Sequence, residues 1–498
     1  MNIIIVLLCV LVITAILSWK WGRYYLGFKL PGPPALPLIG NLLDVRSRDF
    51  TVLFHEMNKY IKNHGPVTRI WLGPVMLIFV SGPEEIAKVV GNDKIGHRGK
   101  YSLRILSPIF NKGLLAQEEM SVWKIHRKIV TNAFHNNMLN KFVDNFAKNS
   151  NILANRLKEL ADGTNAYDIL PYLCLCALDI ITQTCFGQNI NAQINNDMMA
   201  VQYNKTILDS TQIRLSDPFL MFDWAFYLTE IGKKYKVAVK YYHDLIKGVI
   251  DDRAINAKSK EELSKSPTLM DYLIQNGQLS KEEIVGEISS IGGAGTETTA
   301  TLSTFVLAIL AEHQDIQEKV FEEQKTIFGE DILRPVTSDD LPSMTYLEQV
   351  INETLRLYPP VIGHPRETIK EYGIGNGYIL PVEAQLLICA YPLHRNPEIH
   401  PAPDKFDPER FTPENVAARH PYAFVPFGVG RRMCVGYKFA YMETKAILST
   451  ILRHFHMMEI KGGLEGIQKN IHCSFVLTVT DGIHLKFKPR KYAILKTQ

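Results

Sequence analysis

The sequence predicts a mainly α-helical body with small β-sheets, preceded by one N-terminal transmembrane helix. Three observations support this fold class. Residues Met1–Trp19 carry no charge and are almost wholly apolar. Beyond them, apolar residues recur mostly at the three-and-four spacing of helices, and these stretches outnumber the strand-like ones. Strands and helices do not alternate regularly, which argues against a parallel α/β sheet.

The composition is that of a large globular protein. Of 498 residues, 46% are apolar and 21% are charged, which excludes a disordered chain because such chains bury too little apolar surface. The 55 Lys and Arg residues against 51 Asp and Glu residues give a net charge of 55 − 51 = +4. This small excess offers no electrostatic case for nucleic-acid binding. The seven cysteines, an odd number, indicate a reducing compartment with mostly free, buried thiols.

The N-terminus is predicted to hold the protein in a membrane. An uncharged run of this length can span a bilayer, and Lys20, Arg23 and Lys29 follow it directly. A cleaved signal peptide is the alternative, but the run lacks both a basic start and an A-x-A-like cleavage site. Because positive charges stay on the cytoplasmic side, we expect a single-pass anchor over residues 1–28, with the body in the cytoplasm.

A proline-rich segment separates the predicted anchor from the body. Pro31–Asn41 reads PGPPALPLIGN, and its prolines favour a stiff, extended backbone. We interpret residues 29–42 as a hinge and residues 43–498 as the catalytic domain. An ordinary proline-rich linker would have the same geometry.

The predicted elements of the body follow in chain order. Two strands are expected within Pro66–Gly82, around a Gly-Pro turn, and a helix over Pro83–Val90. Further helical stretches are predicted over Trp123–Gly187, from the Ser280-x-x-Glu283 capping box to beyond Ala311, over Met344–Leu357, and after Gly436. Residues 254–267 read as an exposed loop or frayed helix end, and residues 396–426 as an irregular stretch.

The most informative segment is Phe427–Gly436, the cysteine loop, which reads FGVGRRMCVG. Its glycines let the backbone turn tightly and approach a flat ligand closely. Cys434 lies just before a predicted helix, where the dipole and nearby arginines favour a thiolate, and a thiolate can hold haem iron. Taken alone, Cys434 would be read as a buried cysteine beside a glycine loop. The Phe, Gly and Arg residues at these offsets favour the ligand interpretation.

This segment resembles the haem-binding loop of the cytochrome P-450 family, Phe-x-x-Gly-x-Arg-x-Cys-x-Gly, at every defining position. The resemblance covers nearly the whole chain and implies the cytochrome P-450 fold, with haem b as cofactor and Cys434 as axial ligand of its iron. The further haem contacts that the family implies are those of Phe427, Gly428, Gly436 and Ala294. The closing stretch Asp481–Leu485 resembles the microsomal branch that includes fatty-acid hydroxylases and many insect enzymes.

Glu353-Thr-Leu-Arg356 matches the family's Glu-x-x-Arg, whose two members share one helix face. By itself such a pair is common and is usually a surface pair of little energetic weight. Arg410, in Pro408-Glu-Arg-Phe411, matches the family's third partner. The resemblance therefore implies a structural Glu353–Arg356–Arg410 network that holds the cysteine loop, with no catalytic role.

Small and hydroxylated residues occupy Ala294–Thr299, in the middle of the long predicted helix, where glycine and threonine are unfavourable. One interpretation is a helix–helix contact through small residues at Gly292–Gly293. The run also resembles the family's oxygen-activating element. By that resemblance Thr298 would steady dioxygen through its hydroxyl and Glu297 would relay protons to it. Ala294 stands where many fatty-acid hydroxylases have a glutamate that attaches to haem, so no covalent attachment is expected.

A third set of motif residues is implied to bind the haem propionates. Trp123-x-x-x-Arg127 matches a family pair on one helix face, and Arg366 and Arg432 stand at the family's other propionate positions. An ordinary amphipathic helix explains the first pair equally well. His126 is expected to be a partly exposed helix residue. The apolar loop Tyr101–Leu115 would cover the haem pocket or belong to the core.

Together these features predict a membrane-anchored haem-thiolate monooxygenase of the endoplasmic reticulum. It would insert one oxygen atom from O2 into a lipophilic small molecule such as a fatty acid, a hormone-like lipid or a xenobiotic. Electrons would come from NADPH through an NADPH-cytochrome reductase, with cytochrome b5 as a second candidate partner. The residues expected to form a basic docking patch for the donor are Lys124, Lys128, Arg431 and Lys438, although an ordinary solvated surface explains them equally well.

Two other functions stay open at this point. A haem-thiolate isomerase or dehydratase acting on a peroxide would need no added electrons, but such enzymes tend to lose the acid–alcohol pair that Glu297 and Thr298 form here. A haem-binding sensor or carrier without chemistry would have no use for that pair.

Overall fold

The computed structural model describes residues 26–36, 39–44, 49–73, 75–91, 98–217, 219–255 and 268–491. Most of these residues are helical and the strands form small sheets, so the predicted mainly α fold is confirmed. The predicted anchor lies almost wholly outside the described residues. The boundaries of the hinge and of the catalytic domain stay predictions.

Eighteen helices are numbered here in chain order within the described part. They are α1 (Phe50–His64), α2 (Pro83–Val90), α3 (Lys100–Phe110), α4 (Met120–Ala133), α5 (Asn136–Lys158), α6 (Leu170–Ile181), α7 (Ala192–Asn195), α8 (Met198–Ser216), α9 (Asp223–Leu228), α10 (Glu230–Ile255), α11 (Leu269–Asn276), α12 (Lys281–Glu312), α13 (Gln314–Phe328), α14 (Thr345–Leu357), α15 (Ala390–Leu393), α16 (Pro413–Ala418), α17 (Tyr437–His454) and α18 (Gly463–Asn470). A π-helical turn at Thr182–Phe186 continues α6, and 3-10 turns lie at Leu341–Ser343, Pro408–Phe411 and Gly430–Arg432.

The strands are β1 (Val67–Leu72), β2 (Val75–Val80), β3 (Tyr167–Asp168), β4 (Gly363–Glu367), β5 (Tyr372–Gly375), β6 (Tyr378–Leu380), β7 (Gln385–Cys389), β8 (Phe455–Ile460), β9 (Ile471–Ser474), β10 (Val476–Val479) and β11 (His484–Pro489). The largest sheet has the order β1-β2-β7-β4, in which β2 and β7 are parallel and the other pairs antiparallel. A second sheet has the order β3-β11-β8, and β5-β6 and β9-β10 form separate antiparallel pairs.

Helix α12 is the centre of the core. It packs against α6, α14, α17 and strand β8, and nearly every side chain from Thr299 to Ala311 is buried. The predicted capping box begins it: the Ser280 hydroxyl accepts from the Glu283 N–H and the Glu283 carboxylate accepts from the Ser280 N–H. By length and composition α12 could cross a membrane, yet 72% of its most apolar 18-residue stretch is buried inside the protein.

Several predicted elements are confirmed, and two are refined. Strands β1 and β2, helix α2 and helix α14 lie where the sequence places them. In the predicted loop at 254–267, α10 continues through Ile255, and residues 256–267 lie outside the described part. The predicted irregular stretch 396–426 contains a 3-10 turn and α16, because Asp407 and Thr412 cap these short helices with their side chains. The described cysteines are all free, as predicted.

Glycines let neighbouring elements approach α12 closely. A Cβ on Gly292 would lie 2.9 Å from Phe186 Cζ, and one on Gly293 would lie 2.8 Å from Phe110 Cε1. Gly113, after α3, touches Gly286 backbone to backbone: its added Cβ would lie 1.9 Å from the Gly286 carbonyl oxygen. The interpretation of these glycines as packing contacts therefore agrees with the structure.

We predict that Gly113→Ala lowers the free energy of unfolding by roughly 1–3 kcal/mol, because two backbones must separate to admit the methyl group. Gly248→Ala is the matched control, since an added Cβ there has nothing within 4 Å in helix α10. Its helix propensity should raise stability by up to about 1 kcal/mol. Denaturant unfolding of both variants checks this. Equal stability of Gly113→Ala and the wild type would contradict the contact.

Candidate active site

The cysteine loop is closed by its own backbone. The Cys434 N–H donates to the Phe427 carbonyl at 2.9 Å. Gly428 and Gly430 have φ angles of +71° and +67°, which glycine adopts without strain. A Cβ on Gly430 would lie 2.2 Å from Val90 Cγ1. The loop can therefore hold its shape only with glycine at that position.

The Cys434 side chain is exposed, so a ligand can reach its sulfur. The protein around it partly desolvates the thiol and raises its pKa, while the Gly436 N–H and the Arg127 guanidinium act in the opposite direction. Helix α17 begins after Gly436, its N-cap. The groups expected to favour a thiolate are therefore present, but they do not by themselves outweigh desolvation.

Arginines from separate segments converge beside the cysteine loop. Arg127 on α4 and Arg366 on β4 each donate to a backbone carbonyl of the loop, at 2.7 Å and 3.3 Å. The Arg432 guanidinium lies over the Trp123 ring, with Cζ 3.8 Å from the ring centre. Arg98, just before α3, is close enough to lower the pKa values of Arg366 and Arg432. The structure thus brings together all four predicted propionate residues and adds a fifth.

This cluster fits an anionic ligand. Burial lowers the pKa of Arg98 to about 10. Burial and Arg98 lower that of Arg366 to about 10, and burial followed by the neighbouring arginines lowers that of Arg432 to about 9. The buried Arg98 Nε makes no hydrogen bond within the described residues. Clustered guanidinium groups match the charge and geometry of carboxylates, so the donor set fits the propionates of haem.

The sequence alone does not identify Arg98 as a residue of this arginine cluster. It belongs to none of the quoted motifs, and only the fold brings it near Arg366 and Arg432. The one local signal is the next residue, Gly99, where an added Cβ would lie 1.9 Å from Gln385 Oε1. That glycine indicates a close approach of the chain to β7, but it does not identify a ligand.

Helix α14 carries a buried ion pair. Glu353 and Arg356 are both 0% exposed, and the Arg356 Nε and Nη2 donate to the Glu353 carboxylate at 2.7 Å and 2.8 Å. The other Arg356 donors bind backbone carbonyls, those of His394, Pro403 and Lys405. Arg410 Nε lies 3.5 Å from Glu353 Oε1. The three predicted network residues are thus in contact, and their role in holding the cysteine loop stays a prediction.

Neighbouring residues on α12 point to different partners. The Thr298 hydroxyl donates to the carbonyl of Ala294, one turn earlier, at 2.7 Å. Glu297 Oε2 instead accepts from Asn204 Nδ2 on α8 at 2.7 Å and lies 3.5 Å from Cys174 Sγ on α6. Burial raises the pKa of Glu297, and the Cys174 and Asn204 contacts oppose this rise. The proton relay between Glu297 and Thr298 stays a prediction.

The expectation for His126 is wrong. Its side chain is only 1% exposed. Its Nδ1 lies 2.7 Å from Glu287 Oε1 and its Nε2 lies 3.2 Å from Glu283 Oε1. Although burial acts in the other direction, these two carboxylates raise the His126 pKa. His126 therefore joins α4 to the first turns of α12, an arrangement that the sequence of α4 alone does not reveal.

The loop expected to cover the haem pocket is mostly helix α3. Its large apolar side chains are buried: Leu103, Ile105, Leu106, Ile109 and Phe110. Three of them pack in one cluster with residues of α8, α9 and α10. These side chains are therefore part of the core, which was one of the two expectations for this segment. Their contact with a substrate stays a prediction.

The comparison with known families decides the identity of the chain. The profile described as Cytochrome P450 matches residues 30–486. The chain belongs to the cytochrome P450 family. Cytochrome P450 4c3 of Drosophila melanogaster is 32% identical over 490 residues, covering 93% of this chain and 89% of the relative. Cytochrome P450 4V2 of Mus musculus is 33% identical over 474 residues, with 92% and 89% covered. Cytochrome P450 4d2 of Drosophila melanogaster is 33% identical over 510 residues, with 98% and 100% covered.

This P450 is a monooxygenase, and its family implies a haem cofactor, small-molecule substrates and redox partners. The three relatives all carry family 4 names and come from an insect and a mammal, so the predicted family branch is confirmed.

We predict that Arg98→Gln weakens haem retention about tenfold, because one buried charge-assisted contact is removed. Arg104→Gln is the control: this arginine on α3 is exposed and lies 3.7 Å from Asp223, and its loss should leave retention unchanged. The rate of haem transfer to an apo-haem acceptor protein, followed by absorbance, measures the effect. Unchanged transfer from Arg98→Gln would remove Arg98 from the site.

Proposed function

We propose that this P450 is a membrane-anchored monooxygenase that inserts one oxygen atom from O2 into a lipophilic small molecule. Fatty acids, hormone-like lipids and xenobiotics are the candidate substrates, and electrons reach the enzyme from NADPH through a reductase. The observation that carries the proposal is an accessible Cys434 sulfur, in a glycine loop beside a cluster of arginines that are partly or fully buried. The acid–alcohol pair Glu297–Thr298 supports oxygen chemistry over plain haem binding.

Each part of the site has a distinct task in this proposal. Bound haem supplies an iron centre for oxygen activation, and a thiolate ligand favours cleavage of the O–O bond. Cys434 provides the sulfur, and the arginine cluster holds the propionate edge by charge-assisted hydrogen bonds. Trp123 packs on the Arg432 guanidinium and limits its rotation. The glycines of the cysteine loop leave room for a flat face.

Proton delivery is assigned to α12 and its neighbour α8. A buried carboxyl group is an effective acid–base group when its pKa is raised toward neutrality. The Asn204 amide stabilises the charged form of Glu297 and so limits that rise. Thr298 offers a hydroxyl one residue further along the helix. In this proposal Asn204 holds Glu297 on the α8 side, and Thr298 orients the reacting oxygen.

An electron donor is proposed to dock on the face of α4 and the cysteine loop. Lys124, Lys128, Arg431 and Lys438 are exposed there. Trp123 and Arg127 join three of them in lining a groove, and Ile125 on the same helix is 52% exposed. A basic rim around an apolar contact suits an acidic redox protein, a membrane-bound NADPH reductase or cytochrome b5.

The membrane location rests on two features. The uncharged N-terminal run is long enough to span a bilayer. In addition, apolar side chains near α9 are largely exposed, with values of 72% for Phe219, 66% for Trp224 and 73% for Leu228. Such a concentration supports contact with a lipid surface. We propose the endoplasmic reticulum membrane, with the catalytic domain on its cytoplasmic side.

The reduced, carbon-monoxide-bound spectrum tests the proposal first. We predict a strongly red-shifted Soret band in the wild type and its loss in Cys434→His, because imidazole cannot replace the thiolate electronically. Added NADPH and reductase should then oxidise a lipophilic substrate, whereas an isomerase would convert a peroxide without them, and a sensor would do neither. Folded protein that takes up no haem would overturn the proposal.

We predict that Thr298→Ala consumes NADPH but releases peroxide, with product per NADPH lowered about tenfold or more.

Asn204→Ala should raise the Glu297 pKa, because the charged carboxylate loses a hydrogen bond. The change should be seen as a shift to higher pH in the pH dependence of product formed per NADPH consumed. Thr206→Ala is its control, because it abolishes the Asn204-Lys-Thr glycosylation sequon without removing the amide contact. An equal shift in both variants would show that the contact is not the cause.

A further inference from the structure

The segment His420–Phe427, here called the lead-in segment, connects α16 to the cysteine loop without regular helix or strand. Its backbone polar groups must therefore find partners outside a helix or sheet ladder. Val425 is the central residue, because its carbonyl accepts from the Gly428 N–H at 3.0 Å. Two residues later, the Phe427 carbonyl accepts from the Cys434 N–H. The position of Val425 thus sets where the loop begins.

Imidazoles supply the missing partners of the lead-in segment. The Val425 N–H donates to His394 Nε2 at 2.9 Å. His364 Nε2 lies 3.3 Å from the Val425 carbonyl oxygen, and His400 Nε2 lies 3.2 Å from the Ala423 carbonyl oxygen. These histidines come from three places in the chain: strand β4, the end of α15, and the loop before the Pro408–Phe411 turn. His394 and His400 are 0% and 2% exposed.

The protonation states of these imidazoles follow from their partners. A backbone N–H can only donate, so His394 must accept at an unprotonated Nε2 and carry its proton on Nδ1. A carbonyl can only accept, so His364 and His400 must donate from Nε2. A second proton would leave the two donating contacts intact and would abolish the His394 contact. Of the three, His394 alone must therefore stay neutral.

His394 also connects the lead-in segment to the buried ion pair. Its carbonyl accepts from Arg356 Nη1 at 2.9 Å, while its ring accepts from Val425. One residue thus joins Arg356 to the chain that leads to the cysteine. Its ring also lies against Phe424, with centroids 5.1 Å apart.

We propose that His394 is a positioning residue for the cysteine loop: it transmits the fixed position of Arg356 to Val425 and so holds Cys434 where it can bind the haem iron. His364 and His400 assist through their contacts with the Val425 and Ala423 carbonyls. The inference rests on the proposed ligation of haem by Cys434. It adds to the groups that the site requires a neutral histidine, which acts through a hydrogen bond with the backbone and not through a charge.

The charges around His394 favour the neutral state. Burial lowers its pKa well below the ordinary value, and the facing groups His400, Arg356 and Arg395 act in the same direction. The neutral ring is thus favoured in the folded protein, whereas the unfolded chain takes up a proton near pH 6.5. The stability that His394 contributes is fully present above about pH 6.5 and is lost as the pH falls below that value.

The experiment compares full-length wild type with His394→Ala and His394→Gln by the reduced, carbon-monoxide-bound spectrum between about pH 8 and about pH 5. In His394→Ala, we expect the ratio of the red-shifted band to the unshifted band to fall about tenfold at neutral pH, because a buried N–H loses its acceptor. In the wild type, we expect the red-shifted band to weaken as the pH falls below about 6.5, because release of the segment lets His394 take up a proton. In His394→Gln, the amide oxygen accepts in its place, so the band should recover at neutral pH and should weaken less in acid than that of the wild type. Haem content and circular dichroism are recorded on the same samples.

His420→Ala is the matched control. His420 belongs to the same segment, and its Nδ1 accepts from the Tyr422 N–H at 3.2 Å, but it is far more exposed than His394. Its spectrum should match the wild type at every pH. A wild-type band ratio in His394→Ala overturns the inference, as does an acid response in His394→Gln equal to that of the wild type. The second result remains decisive if the alanine variant does not fold. Absence of the band from the wild type would instead refute the ligation by Cys434.

Discussion

Two opposite charges buried side by side on α14 impose the constraint on which the chain leading to the cysteine loop depends. Neither Glu353 nor Arg356 reaches solvent, and desolvation of such a pair is costly unless every polar atom finds a partner. All five Arg356 donors are satisfied, two of them by Glu353. The rest require backbone carbonyls from residues 394–405, so this part of the chain must wrap around the guanidinium.

The wrapped chain then leads to the site. The ring of His394 accepts a hydrogen bond from the Val425 N–H and so fixes the position of Val425. The cysteine loop starts two residues later. Arginines from α4 and β4 bind the same loop by donating to its carbonyls. In the proposed function, cofactor retention and cysteine position therefore share one set of backbone contacts. Helix α12 is fixed separately, through its capping box, through His126 and through close glycine contacts.

The sequence reveals what is encoded in short motifs, together with the distant partners, such as Arg410 of Glu353, that the family resemblance adds. It misses the long-range contacts of residues that belong to no motif. The cysteine loop, the pair on α14 and the capping box of α12 are each encoded within ten neighbouring residues, and the main helices follow from apolar periodicity. Arg98, Asn204 and His394 acquire their partners from segments far away in the chain. His126 shows the limit clearly. Periodicity places it on a helix, but its burial arises because two carboxylates of α12 face it.

The resting contact of Thr298 has a consequence for the shape of α12. A hydroxyl carries a single proton, and that proton is directed to the carbonyl of Ala294. Donation to any other acceptor must therefore release this carbonyl, which then lacks the extra hydrogen bond that threonine back-bonding gives it. Such back-bonding bends helices slightly. Redirecting the Thr298 hydroxyl proton would therefore remove one cause of bending in α12 as well as one hydrogen bond.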